Sequence, residues 1–396
     1  MTKFEKLKIA QVIDDTLDST DGVQQIVLAV GDWLSAQGHE VHYITSSTTR
    51  TEPANIHSIA GNMRFKFNGN RVGIPKPASR ATIKALLAEQ NFDVVHVQIP
   101  YSPFLAGRII SALPKRTALV GTFMILPLSR ISRWGGKLLG LVQRPQIKRY
   151  DQLLALSPPA SDFSDYMYGR TATAVGSPVD VDRYGVARSA HLAAQAAAAE
   201  SDAPTPNAPV KILFLGRLVE RKGAGALLAA LAKAKELTTV PFEVEIAGTG
   251  PLGDQYRQYT KAHGLADRTS FTGFITEEDK AGLLGSADII ALPALGGESF
   301  GISVVEALAA GSGTVLAGNN AGYSSVIGPL TECLVDPRDI DGFAQTLVRH
   351  IENAELRAEF SAKQVARAQE FAPDVVGAKI IATYYQALAR RGTATS

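Results

Sequence analysis

A single cysteine, Cys333, stands among 396 residues. That excludes an internal disulfide and a cysteine-rich metal site, and leaves a reducing compartment open. Long apolar runs are missing too: residues 118–128 come nearest to a spanning helix, and they contain Pro127. The opening MTKFEKLKIAQVIDD carries charges on both sides of a short apolar strand, so no signal-peptide pattern is expected there. If this chain meets a membrane, the sequence places it on the surface, as a cytoplasmic protein peripheral to an inner membrane face. Acid is absent over a long stretch, with no Asp or Glu between residues 94 and 150, where nine Lys or Arg occur. Net charge is only +2, but the first 185 residues hold 21 Lys and Arg against 15 Asp and Glu. A basic first half suits an anionic partner. No His, Cys, Asp and Glu cluster has metal-ligand spacing, the dinucleotide pattern G-x-G-x-x-G is missing, and nothing marks a nucleic acid or an obligate protein partner.

The stretch GESFGISVVEALAAG at 297–311 is the most informative one present. An apolar strand pattern at 288–292 precedes it and an apolar helical pattern at 302–310 follows, so it reads as strand, tight loop, helix. A helix N-terminus presents unpaired N–H groups and a partial positive charge to whatever the loop holds. Gly301 allows backbone to approach a phosphate. Glu298 in the loop and Glu306 further down the helix are acceptors suited to sugar hydroxyls. The pair therefore suggests a ligand with phosphate and sugar parts, although two glutamates at this spacing also occur in ordinary helices.

The chain divides into two β-α series, which predicts an α/β fold of two doubly wound Rossmann-like domains facing a central cleft. Expected boundaries are 1–185 for a first domain, 186–209 for a linker or insertion, and 210–372 for a second domain, the one that holds the glutamate motif and its phosphate-and-sugar ligand. Residues 373–396 are expected as a helix crossing back to the first domain. The opening strand at 7–13 leads through a polar loop to Gly22, which is either a plain turn glycine or a point of backbone approach to a phosphate. Residues 56–77 read as irregular. His96, near the carboxyl end of the strand at 93–98, reads either as a packing histidine or as a ligand contact. Residues 126–150 mix Trp134 and several leucines with Arg130, Arg133 and Lys137. This is the composition of an interfacial amphipathic segment, against which stands a core helix with a solvated basic face. Gly135, Gly136 and Pro145 are expected to divide it. Arg217 and Lys222, just after the strand at 210–215, read either as unremarkable surface cations on a loop or as cations that can neutralise a diphosphate leaving group, in place of a divalent ion.

Several strings together carry a resemblance: DGVQ at 21–24, DVVHVQIPYSP at 93–103, GTF at 121–123, SPVDVDRY at 177–184, GRLVERKG at 216–223 and GESFGISVVEALAAG. The chain resembles the family 4 retaining glycosyltransferases of the GT-B fold, and within them it is most similar to phosphatidylinositol mannosyltransferases. The resemblance implies that Arg217 and Lys222 hold the donor diphosphate, that Glu306 binds the ribose, and that Glu298 reaches the donor sugar. It further implies backbone contacts from Ser299, Phe300, Gly301 and Ile302, and a base contact at Ile275. A GDP- or UDP-linked hexose, mannose among the candidates, is then the donor, with no further cofactor, and an anionic membrane lipid the acceptor. Alternatives are a soluble sugar or polysaccharide acceptor, or a donor-binding protein with little turnover. Two positions depart from the family pattern: Asp21 where a glycine is usual, and Met124 where a histidine usually follows GTF.

Overall fold

The computed structural model describes residues 6–19, 22–67, 70–75, 78–100, 102, 104–127, 130–200 and 208–393, with side chains left aside at 62–67, 70–75, 130–131, 191, 194–200 and 393. The chain forms two compact units, residues 1–178 with 373–396, and residues 179–372.

The first unit runs β1 (Lys8–Val12), α1 (Gly22–Ala36), β2 (Glu40–Thr45), β3 (Ile56–Ser58), β4 (Asn62–Phe67), β5 (Asn70–Pro75), α2 (Arg80–Gln90), β6 (Val94–Gln98), α3 (Leu105–Ala112), β7 (Ala118–Phe123), α4 (Arg130–Ile147), β8 (Gln152–Ala155), α5 (Pro158–Tyr168) and β9 (Thr173–Ala174). Its parallel sheet has the order β3-β2-β1-β6-β7-β8-β9. Central strands such as VVHVQ are buried along their whole length, because helices cover both faces of a parallel sheet. Caps set the helix ends: the Ser157 hydroxyl accepts from the Ala160 amide ahead of Pro158, and Gly169 closes α5 at φ 63.

The second unit follows with α6 (Val181–Glu200), β10 (Val210–Leu215), α7 (Ala224–Leu237), β11 (Phe242–Ala247), α8 (Gly253–Ala262), β12 (Thr269–Gly273), α9 (Glu277–Gly285), β13 (Ile289–Leu292), α10 (Ile302–Ala310), β14 (Thr314–Gly318), α11 (Ala321–Ile327), β15 (Leu334–Val335), α12 (Ile340–Glu352) and α13 (Ala354–Ala368). The sheet order is β12-β11-β10-β13-β14-β15, again all parallel. The last helix, α14 (Pro373–Thr393), belongs to the first unit. There the Trp33 indole donates to Asp374 at 2.7 Å, and Arg391 pairs with Asp151 at 2.8 Å.

Four sequence expectations need correction. Most of the described residues of 56–77 are strand and not irregular: β3 joins the main sheet, and β4 pairs antiparallel with β5, Phe67 opposite Asn70. The first unit closes at Pro178, not at residue 185. The expected linker is helical through Glu200, since an alanine-rich run with no glycine or proline favours helix, and α6 packs against α9 and α10. Residues 201–207 of that stretch lie outside the described residues. Finally, Gly135, Gly136 and Pro145 do not divide residues 130–147, which form one helix. A Cβ at Gly136 would stand 2.9 Å from the Phe163 ring and one at Gly140 2.2 Å from the Met167 carbonyl oxygen. Those glycines let α4 lie directly on α5 and do not break it.

Candidate active site

In the second unit the chain steps from β10 to β11 on one side and later to β13 on the other. The switch between β10 and β13 is where open α/β sheets bind ligands, outside the carboxyl ends of the strands. The loop after β10 carries Arg217 and Lys222, and the loop after β13 carries Glu298. Gly223, at φ +80, has no room for a side chain, because a Cβ would meet the Pro293 carbonyl oxygen at 1.9 Å. The Leu295 amide donates to the Arg221 carbonyl at 2.9 Å, which fastens the two loops side by side. From the other flank, a Cβ at Gly322 would stand 2.1 Å from the Glu298 carbonyl oxygen, so the start of α11 backs the same loop.

This wedging brings Glu298 against two cations. Its Oε1 lies 2.9 Å from Lys222 Nζ and 2.5 Å from Arg221 Nη1. Burial pushes the Glu298 carboxyl up, but Lys222 and Arg221 outweigh burial and hold it below the usual carboxylate range. Burial works against the Lys222 charge as well, yet Tyr323 and Glu298 keep the ammonium above its ordinary value. Arg217 lies half-buried in the same β10 loop, its carbonyl accepting from the Val219 amide.

Glu306 sits just past the first turn of α10 and is buried. Lys280 of α9 donates to its Oε1 at 2.8 Å and also pairs with Glu277 at 2.7 Å. Tyr184 of α6 is buried beside it; burial and the Glu306 carboxylate both push the Tyr184 phenol up. Gly301 precedes α10 where a Cβ would meet the Tyr323 ring at 2.7 Å. Phe300 packs edge-on against Phe371, with centroids 5.3 Å apart, so its side chain belongs to the core and only its backbone faces the loop. Ser299 is half-buried in that loop, Ile302 opens the helix, and Ile275 is half-buried in the connection from β12 to α9.

In the first unit, Gly22 begins α1, while Asp21 lies outside the described residues. His96 is buried and hydrogen-bonded through both ring nitrogens within the first unit. Its Nδ1 lies 2.7 Å from the Tyr384 hydroxyl and its Nε2 2.6 Å from the Thr122 hydroxyl, and burial pushes the imidazole down to about 3. The register explains it: His96 lies between Gln11 and Val120 in the middle of the sheet, under α14. Met124, immediately after β7, is buried. On α4, Arg133 and Lys137 lie over the Tyr166 ring at 4.6 and 5.2 Å, and Trp134 is 69% exposed. The side chain of Arg130 lies outside the described residues.

Sequence reasoning missed Arg221, Lys280, Tyr184 and Tyr323. Arg221, adjacent to Lys222 in GRLVERKG, and Tyr184, the last residue of SPVDVDRY, carried a local signal. The others reach the two glutamates from separate helices.

Residues 20–183 match the family described as Glycosyltransferase Family 4, and residues 198–366 match Glycosyl transferases group 1. A phosphatidyl-myo-inositol mannosyltransferase of Mycolicibacterium smegmatis is 30% identical over 96% of this chain and 93% of its own. A GDP-mannose-dependent alpha-(1-6)-phosphatidylinositol monomannoside mannosyltransferase of Mycobacterium tuberculosis is 26% identical over 80% of this chain and 82% of its own. Among solved structures, Anabaena Alr3699/HepE in complex with UDP superposes with a TM-score of 0.72 at 18% identity, covering 95% of this chain and 99% of that one. The chain belongs to the family 4 glycosyltransferases, enzymes of the GT-B fold.

Proposed function

We propose that this glycosyltransferase moves a mannosyl group from GDP-mannose to a phosphatidylinositol-type lipid at a membrane surface, with retention at the anomeric carbon. The donor assignment rests on the relatives named for GDP-mannose and phosphatidylinositol. In this reading Arg217 and Lys222 take the diphosphate, Glu298 accepts a hydroxyl of the donor sugar, Glu306 accepts from the ribose, and the Ile275 loop meets the base. The backbone at Ser299 to Ile302 lies along sugar and phosphate. As the bond from the anomeric carbon to the β-phosphate oxygen breaks, negative charge grows on that oxygen, and fixed cations lower the barrier most when aimed there. The acceptor hydroxyl attacks the same face and its proton passes to the departing phosphate oxygen. Met124 neither gives nor takes a proton, so that phosphate oxygen is the base.

The observation that carries the lipid reading is helix α4. Its buried side is made of Gly136, Gly140, Gln143 and Ile147, while Trp134, Leu138, Leu141 and Val142, on one face at helical spacing, are exposed, Val142 by 73%. Arg133, Lys137 and Arg144 are exposed on the same helix, and Lys148 is exposed in the turn just past its end. Apolar side chains turned outward beside cations suit the interface of an anionic bilayer, where each basic residue contributes on the order of 1 kcal/mol. No helix among the described residues is long and apolar enough to cross a membrane.

Co-sedimentation with phosphatidylinositol-containing vesicles, followed by transfer from GDP-mannose, tests both halves. Binding that weakens with salt and a mannosylated lipid product are expected. Transfer only to soluble sugars would sink the lipid assignment, and stabilisation by UDP-sugars alone would replace the base. Tight donor binding without release of GDP would mark a donor-binding protein, the reading that Met124 favours.

A further inference from the structure

Assigning the diphosphate to Arg217 and Lys222 leaves Arg221 without a role. Yet its guanidinium shares one carboxylate oxygen of Glu298 with the Lys222 ammonium. The arrangement is built from the backbone outward: the Arg221 carbonyl takes the Leu295 amide, and Gly223 fits under Pro293, so the loop bearing Arg221 stays in register with the loop bearing Glu298. Groups from each neighbouring element face the pair. Lys222 and Arg221 come from the β10 loop, and Tyr323 of α11 interacts with both Lys222 and Glu298. Ser303 of α10 hydrogen-bonds Tyr323.

A diphosphate brought to Lys222 competes with Glu298 for that ammonium. Were Lys222 the only cation on Glu298, donor binding would strand a mostly buried carboxylate, whose side chain is 16% exposed, without compensation. The guanidinium is the group that remains.

We propose that Arg221 is the positioning residue of Glu298, holding its carboxylate toward the donor sugar once the diphosphate has taken over Lys222. The proposal rests on the reading of Glu298 as a donor-sugar contact and of Lys222 as a diphosphate ligand. It predicts a division of labour between neighbours: Lys222 acts in binding and Arg221 in turnover.

The test uses the full chain as wild type, Arg221→Ala, Arg221→Lys, Lys222→Ala and Glu298→Gln. GDP binding is measured by calorimetry, and transfer from GDP-mannose to phosphatidylinositol vesicles is followed through the acid limb of the kcat profile. Arg221→Ala is expected to bind GDP within about threefold of wild type while kcat falls about tenfold or more. Its acid limb should move toward neutrality, because Glu298 then protonates more easily. Arg221→Lys should restore most of kcat and return the limb, and Lys222→Ala should weaken GDP about tenfold or more. Rates are referred to the GDP-binding fraction, so partial misfolding does not mimic the effect. Equal weakening of GDP by Arg221→Ala and Lys222→Ala would make Arg221 a phosphate ligand and overturn the proposal. An unmoved kcat and acid limb would do the same. Full activity in Glu298→Gln, a variant that leaves Arg221 intact, would remove the parent assignment and this one with it.

Discussion

A Cβ placed on Gly140 would stand 2.2 Å from the carbonyl oxygen of Met167, so α4 rests on the backbone of α5 with no side chain between them. Gly140→Ala must push the helices apart, and a loss of about 1–3 kcal/mol is expected in urea denaturation. Gly135, on the open side of the same helix, is different: a Cβ there would meet nothing within 4 Å. Gly135→Ala should therefore be neutral or stabilise by up to about 1 kcal/mol. Equal losses from both would show that the contact is not what fixes α4.

The outward apolar face gives a second prediction. Leu141→Glu with Val142→Glu replaces two exposed hydrophobes, one of them 48% and the other 73% exposed, so stability should change little. Vesicle binding should drop about tenfold or more, since apolar insertion is lost and acid now faces an anionic surface. Unchanged co-sedimentation of the double variant would remove α4 from the membrane.

Lys280 bridges Glu277 and Glu306, with its side chain 11% and that of Glu306 8% exposed. Lys280→Met strands the Glu306 carboxylate, at a cost of about 3–5 kcal/mol if the site does not relax. Adding Glu306→Gln to that variant should recover part of the loss, because the uncompensated charge is gone. A Tm for Lys280→Met equal to wild type would show that the pair is not coupled to stability.

His96 sets a pH dependence. Buried and neutral, it titrates at about 3, against 6.5 when unfolded, so the unfolded chain binds more protons between those values. Stability is therefore full above about pH 6.5 and declines as pH falls toward 3. Urea midpoints should fall on acidification through this window, and His96→Gln should flatten the dependence. An equal slope in the variant would assign the acid sensitivity elsewhere, His350, held at about 4 by burial, being the next group to test.

Local pattern was enough for what depends on neighbours in sequence. Runs such as KILFL and DVVHVQ are strands because β-branched and leucine residues fill a sheet covered on both faces. The alternation of such strands with helical spacing dictated two doubly wound units. The order strand, loop, helix around Glu298 was likewise legible, since Gly301 and the apolar run after it are adjacent. In residues 56–77 the glycines and prolines drew the reading toward irregular chain and hid the alternation in NMRFKF. On α4, glycines read as breakers are the contact surface, because whether a glycine weakens a helix or seats it depends on what lies opposite.

What the chain order alone determined was the inventory: the strands, the cations after β10, the two glutamates after β13 and the basic stretch without acid. Tertiary structure decided the partners. Arg221 and not Lys222 alone meets Glu298, Lys280 from a separate helix meets Glu306, and His96 turns inward to Tyr384, 288 positions away in the chain. Side-chain pairing at such separations follows from how loops and helices pack across the sheet edge, and that geometry leaves no periodic trace in sequence.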